Sequence, residues 1–349
     1  MTRLSTDGSA KKRNYSFVYI RSLGCLAVIC MHVVYSALLL SKENLSFTAK
    51  FISTALTYCL MWAVPCFVMV TGALLLRPEK KIGYKQIWTR YISRVAGALI
   101  LFVLAYRVFD VFIDREEKTV TNFLLGFKEI FTGDTWAHMW YLYLLIGLYI
   151  LLPFYKKIAG ASDGREIKYL LLVYFIFISL LPVLEIFELE TAFYIHVSTI
   201  YPFYLFAGYA IASGIIKIKK PVAAAVFVFA TALTVLITYF SLTTETELAP
   251  LIGYSSVPVV LQSLSLFALI FSKNSEEPAH MKKPLALFDS CGFGIYLVHM
   301  IFVRLILRYA EFDPYQYPWS FPLLIAGIAL ASFVIVFLLR KIPLIKKFL

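Results

Sequence analysis

The chain has 349 residues, 60% of them apolar and only 15% charged, with a mean hydropathy of +0.79. That is too apolar to close one core and still show water a polar shell, which excludes an ordinary soluble globular protein. The formal net charge of +12 does not point to nucleic acid, because the Lys and Arg residues occupy alternate connections between apolar runs rather than a basic stripe with interleaved aromatics.

Apolar runs approaching the ~20 residues that cross about 30 Å of hydrocarbon recur from end to end, with no long polar region for a separate soluble domain. The chain therefore reads as all-α, a polytopic membrane helix bundle: a cytoplasmic segment 1–16, a transmembrane domain 17–341 and a cytoplasmic tail 342–349. The polar, basic start precedes an apolar run longer than a signal-peptide core and without a small-residue cleavage pattern, so this run is expected to persist as the first span. The five cysteines, Cys25, Cys30, Cys59, Cys66 and Cys291, all fall in predicted spans, without metal-ligand spacing, and read as small core residues. No metal site is expected.

The first predicted span, Phe17 to Leu40, contains Arg21 and His32, two ionisable residues in an apolar run. Eleven residues apart, they lie about 16 Å apart along a helix axis with almost no rotation between them, and so share a face. Arg21 alone reads equally as a side chain snorkelling to the inner phosphates, and His32 as one hydrogen-bonded within the bundle. Together on one stripe they suggest a pathway: a guanidinium suited to phosphate by its fixed charge and bidentate fork, and a deeper imidazole whose reference pKa of ~6.5 suits a proton acceptor.

The second span, Phe51 to Leu76, is interrupted by Pro65, where a kink is expected. A basic connection with Arg77, Lys80, Lys81 and Lys85 leads to the third span, Tyr91 to Ile113. Arg90 and Arg94 open that span four residues apart, on one expected helix face. They read either as ordinary positive-inside flanks or as a phosphate-binding pair. Near its outer end Arg107 and Asp110 are expected to pair with each other. Val120, Phe123, Leu124, Phe127, Ile130 and Phe131 follow at helical spacing, predicting an amphipathic helix on the outer surface.

The fourth span, His138 to Tyr155, carries Pro153 near its end and opens with His138, Trp140 and Tyr141. Aromatic faces suit sugar rings, although Trp and Tyr at a membrane boundary commonly serve as anchors. Six further spans are predicted at Tyr169 to Phe187, Val197 to Ile216, Pro221 to Leu242, Ile252 to Phe271, Cys291 to Leu307 and Phe321 to Leu339, making ten. In the ninth, Tyr296 precedes His299 by one turn, so both are expected to face one cavity, with a packed histidine as the plainer reading. Glu185 and Glu188 sit at an expected outer rim, while His196 and His280 fall in predicted loops and take no role.

Basic residues mark the N-terminal segment (Lys11, Lys12, Arg13), the connections with Lys156, Lys157 and Arg165, with Lys217, Lys219 and Lys220, and with Lys273, Lys282 and Lys283, and the tail with Lys341, Lys346 and Lys347. The alternate connections carry Glu185, Glu188 and Glu190, Glu245 and Glu247, or Glu311 and Asp313. The positive-inside rule then places both termini in the cytoplasm and supports an even span count. No internal repeat is visible, and Gly and Pro do not fall in matched pairs between two halves, which weakens a transporter reading.

The run RSLGCLAVICMH from Arg21 to His32 resembles the R, ten residues, H pattern that opens members of the acyltransferase-3 family of integral-membrane acyltransferases. PCFVMVTGALLL at Pro65 to Leu76 followed by basic residues with Arg90 and Arg94, HMWYLYLLIGLYILLP at His138 to Pro153 and FGIYLVH at Phe293 to His299 are similar to further stretches of that family, in the same order. The resemblance covers nearly the whole chain. It implies transfer of an acyl group, commonly acetyl, from cytoplasmic acyl-CoA to a hydroxyl of a cell-surface carbohydrate or lipid-linked glycan by a multi-pass protein of the cell membrane. Arg21 and His32 occupy the family's functional pair, with Arg90, Arg94 and Arg77 as candidates for acetyl-CoA and His299, Tyr296, His138 and Trp140 as candidates for the acceptor. Proton removal by His32 and a transient acyl-histidine both remain open routes. Members often carry an additional extracytoplasmic hydrolase-like domain. The sequence ends just after its tenth expected span, which leaves open a separate partner for the transfer, as it does the oligomeric state. The competing reading is a transporter in which Arg21 and His32 bind a small anionic solute or relay protons.

Overall fold

The computed structural model describes residues 14–113, 119–187, 189, 192–244, 249–273 and 279–349. Lys11, Lys12, Arg13, Glu188, Glu190, Glu245 and Glu247, used above to orient the chain, lie outside the described residues. Among these the regular structure is helical throughout. In chain order the helices are α1 (Tyr15–Ser41), α2 (Phe47–Cys59), α3 (Ala63–Leu75), α4 (Tyr84–Ile113), α5 (Val120–Thr132), α6 (Trp140–Ala161), α7 (Gly164–Phe187), α8 (Tyr201–Ser213), α9 (Lys220–Thr244), α10 (Val257–Ile270), α11 (Ala279–Arg304) and α12 (Ser320–Leu339). Among the described residues, eight stretches are long and apolar enough to cross a membrane. The chain is a multi-pass membrane protein.

Two expected spans are shorter than predicted. The sixth is α8, 13 residues, and the eighth is α10, 14 residues, both below the ~20 needed for a perpendicular crossing. The reason is position: Pro202 through Ile211 of α8 are all buried, and a helix apolar on every side belongs inside a bundle. Gly72 of α3 and Gly208 of α8 make this possible. A Cβ on Gly72 would overlap the Leu205 carbonyl, and one on Gly208 would overlap that of Met69, so the two backbones touch.

The second span is divided. Helix α2 ends at Cys59 and α3 begins at Ala63, because Pro65 has no N–H for the carbonyl of Met61 and the helix cannot run through. Pro153 stays inside α6. Helix α4 begins with a π-helical segment, Ile87–Ile92, and α7 passes through a π segment, Phe175–Leu180, into 3-10 turns at Leu181–Phe187. Asp163 starts α7 by accepting from the backbone N–H groups of Arg165 and Glu166, while Glu166 accepts from the backbone of Asp163.

The amphipathic helix forms as expected. Thr119 caps the start of α5, Gly133 ends it at φ 77°, and Val120, Leu124, Phe127 and Phe131 make an exposed apolar stripe, the pattern of a helix seated on a membrane surface. Its other side faces α4 and α6, where Gly126 meets the stem of Arg107 and the Tyr143 hydroxyl donates to the carbonyls of Glu129 and Ile130.

Arg107 and Asp110, expected to pair with each other, also have partners on other elements. Asp110 accepts from Arg304 of α11 at 2.8 Å and from the Trp136 indole N–H at 3.0 Å, while Arg107 donates to the Asn122 carbonyl at 2.7 Å and to Glu129 at 3.4 Å. Helices α5 and α11 thus supply partners to both side chains. His280 also departs from its predicted loop and lies in the first turn of α11.

The first and eleventh helices run side by side in the same direction. Asn14 donates to the carbonyls of Ser272 and Lys273 at one end, and Ser41 to Asp313 at 3.4 Å at the other. At the Asn14 end Lys156 donates to the carbonyls of Leu75 and Arg77, and Arg340 to Ser290. The basic connections thus gather at one end of the bundle. Cys25, Cys66 and Cys291 are buried and Cys30 and Cys59 partly so, all as free thiols.

Candidate functional site

Helices α1 and α11 meet through two polar pairs set ten or eleven residues apart on each. Asp289, whose side chain is only 2% exposed, accepts from Arg21 Nε at 2.7 Å and Nη2 at 2.8 Å, a bidentate geometry that fixes the guanidinium plane. Farther along, His32 Nδ1 lies 2.8 Å from His299 Nε2 and the rings stack with centroids 5.0 Å apart.

His138 completes a histidine cluster. It is not the outer-entrance residue the sequence suggested: it is 2% exposed, because the 3-10 turn Ala137–Met139 turns it inward before α6 begins. Its ring centroid lies 5.5 Å from that of His299 and 6.2 Å from that of His32. Tyr106 sits 3.2 Å from His138 Nε2 and donates its own proton to the Leu297 carbonyl. Nε2 therefore donates and Nδ1 is left as a buried acceptor without a hydrogen-bond partner among the described residues. Tyr106 stacks on Trp136 at 4.2 Å, and the Arg304 guanidinium lies 3.9 Å from a Trp136 ring. The cluster is thus tied to the Asp110 ion pair.

On the other side lies a cavity of about 470 Å³, within the ~300–1,000 Å³ usual for small-molecule sites. Its polar end is lined by Arg21, Asp289, Arg94 and Lys80, and its deeper end by Cys25, Tyr141 and Tyr296. None of the three histidines lines it. Tyr296 stands between: its hydroxyl donates to the His138 carbonyl, and its ring lies 5.5 Å from Tyr141, 5.7 Å from His138 and 5.9 Å from His299. Arg21 and His32 share a helix face, yet here the cavity reaches only the first of them.

The other expected site residues divide. Arg94 lines the cavity, faces Phe293 at 5.4 Å and donates to the Leu349 carbonyl. Arg90 is exposed and does not line it. Arg77, just beyond α3, donates to the Ala73 carbonyl of that helix at 2.8 Å. Trp140 stands apart from the histidines, against Tyr201 and Tyr254 with ring centroids 5.8 and 5.3 Å away. Asp289, Tyr106 and Trp136 were not singled out for the site from sequence. Asp289 had a signal: it is an acid ten residues before His299, nearly repeating the Arg21 to His32 interval, but the predicted ninth span began two residues after it.

No cluster of His, Cys, Asp and Glu among the described residues could hold a metal ion. Neither a curated protein nor a solved structure matches the chain. The family model described as an acyltransferase domain, Acyl_transf_3, matches residues 14–341, nearly the whole sequence and both walls of the cavity. The chain belongs to this acyltransferase family.

Proposed function

We propose that this protein is an acyl-CoA-dependent O-acyltransferase of the cell membrane, passing an acyl group, most simply acetyl, to a hydroxyl of a cell-surface carbohydrate or lipid-linked glycan. The observation that carries the reading is the placement of a guanidinium and an imidazole of one helix on either side of a tyrosine partition, Arg21 in the cavity and His32 behind Tyr296. With the basic connections in the cytoplasm, the donor enters at the Arg21 end. Its phosphates meet Arg94, Lys80 and the free edge of Arg21, and its pantetheine arm runs towards Tyr296. The ~16 Å between Arg21 and His32 along α1 is a span that an extended arm covers.

In the transfer the acceptor oxygen forms a bond to the thioester carbonyl carbon, and its proton passes to His32. The carbon–sulfur bond breaks, the CoA thiolate leaves, and it takes up the proton from His32 to give the free thiol and the ester. The thioester is already activated, so alignment and proton removal are the main requirements. The orphaned Nδ1 of His138 is a buried acceptor for a second hydroxyl of the sugar, and the ring faces of Trp140, Tyr201 and Tyr254 suit a pyranose. The closed Tyr141–Tyr296 partition keeps water from the thioester until acceptor and donor are both present.

The test uses purified protein with acetyl-labelled CoA and surface glycan extracts as acceptor. Label on the glycan with stoichiometric release of CoA, abolished by His32→Ala, supports the reading. Label on the protein without acceptor marks an acyl-imidazole route. Solute uptake into proteoliposomes with no CoA turnover favours the transporter and overturns the enzyme.

A further inference from the structure

The hydrogen bonds around His299 specify which nitrogen of His32 reacts. His299 Nδ1 lies 3.2 Å from the carbonyl of Ile295, one turn earlier on α11. A carbonyl has no proton to give, so Nδ1 carries the hydrogen. His299 is fully buried, and no carboxylate among the described residues bonds either ring, so the neutral form is the one this setting favours. Its Nε2 is then a lone pair. The 2.8 Å contact between that atom and His32 Nδ1 needs one proton, which only His32 can supply. His32 is thus the Nδ1–H tautomer, and its Nε2 is a bare lone pair.

We propose that His299 is a positioning residue, not an acceptor-binding one: the relay from the Ile295 carbonyl through His299 to His32 fixes the His32 tautomer and ring plane and leaves Nε2 as the atom that takes the acceptor proton. The same acceptor bond steadies the imidazolium that forms, since a His32 charged at Nε2 still donates through Nδ1 to His299. A backbone carbonyl anchors the relay, so its sense is set by the fold rather than by pH, and the two histidines cannot exchange roles without breaking the Ile295 bond. In hydrolases where a carboxylate orients the base, the third group acts through the imidazole in the same sense. The assignment rests on His32 as the base of the proposed transfer, but the tautomer is a property of the resting protein and is measured without turnover.

The protein is labelled with 15N-histidine, reconstituted in lipid nanodiscs, and its histidine signals are assigned by single substitution. The expected result is His32 protonated at Nδ1 and bare at Nε2. Protonation at Nε2 overturns the proposal whatever the activity. In turnover, His299→Leu removes the acceptor and is expected to lower kcat by about 10–100-fold with the donor KM unchanged. His299→Gln sets an amide oxygen near the old Nε2 position and is expected to recover most of that loss. Equal kcat values for His299→Leu and the unaltered protein, or equal losses for Leu and Gln, overturn the positioning role. Absence of any acyl transfer by the unaltered protein counts against the proposed function alone, since the tautomer measurement stands without it.

Discussion

Asp289 holds Arg21 by two of the nitrogens that would otherwise grip phosphate, at 2.7 and 2.8 Å, and is itself almost wholly buried. The guanidinium is therefore presented to the cavity in one orientation. A charged hydrogen bond contributes about 1.5–3 kcal/mol, so Asp289→Asn is expected to raise the donor KM roughly 10–100-fold at 1.4 kcal/mol per decade, with a smaller change in kcat. Steady-state kinetics against donor concentration measure this. An unchanged KM would mean that Arg21 needs no such alignment.

Arg94 and Arg90 look equivalent in sequence and are not so in the fold. Arg94 lines the cavity and Arg90 faces away from it. Arg94→Gln is expected to weaken the donor about tenfold, the loss of one charge-assisted contact at ~1.4 kcal/mol, whereas Arg90→Gln should stay within about twofold, as surface substitutions do. Because Arg94 also donates to the Leu349 carbonyl, melting temperatures of both variants separate lost binding from a loosened tail. Equal effects on KM would return both arginines to the role of topological flanks.

Most of the helices were legible because a membrane span is set by length and apolarity, which composition reports directly. What differed was local. Helix α8 is shorter than the sixth span drawn around it, and because its residues are apolar on every side, sequence cannot separate burial in protein from burial in lipid. The site was half legible for a related reason: Arg21, His32, His138 and His299 stand out as polar residues in apolar runs, but their meeting joins residues 267 positions apart, as with His32 and His299. No helical periodicity encodes that contact. The π-helical start of α4 likewise leaves no mark that a 3.6-residue period detects. Aspartate 289 was lost to a boundary drawn two residues too late.

The ion pair of Arg304 and Asp110 ties α11 to α4 and holds Trp136 against Tyr106. Removing one partner takes from the other its 2.8 Å ion pair in a partly buried place, whereas removing both relieves that penalty. Arg304→Met and Asp110→Asn are each expected to destabilise the protein, and the double variant by less than their sum, with a coupling of about 0.5–3 kcal/mol. Unfolding midpoints of the four proteins of the cycle in one detergent give the answer. Strict additivity would show the two side chains to be independent.

Tyr296 divides the cavity from the histidines through its ring, while its hydroxyl only anchors it to the His138 carbonyl. Tyr296→Phe keeps the ring and loses one hydrogen bond of ~0.5–1.5 kcal/mol, so transfer should fall by roughly 2–10-fold with product and released CoA still matched. Tyr296→Ala removes the partition. Its expected signature is CoA released in excess of glycan acylated, because water reaches the thioester. Free thiol and labelled product measured in the same reaction distinguish the outcomes, and full coupling in Tyr296→Ala would show that the partition does not guard the donor.

The contact of α3 and α8 depends on two missing Cβ atoms, since a methyl at Gly72 or Gly208 meets a backbone carbonyl that has no rotamer to change. Overpacking of this kind costs about 1–3 kcal/mol, and here the two helices must separate to relieve it. Gly72→Ala and Gly208→Ala are each expected to lower the melting temperature in detergent. Helix α3 also lines the cavity, through Val70, Thr71, Leu74 and Leu75, so both variants should weaken the donor as well. Gly147 of α6 is the control: a Cβ there meets nothing within 4 Å, and Gly147→Ala should stabilise the helix by roughly 0.5–1 kcal/mol. If all three alanines shift the midpoint in the same direction, the backbone contact between α3 and α8 is not what sets their spacing.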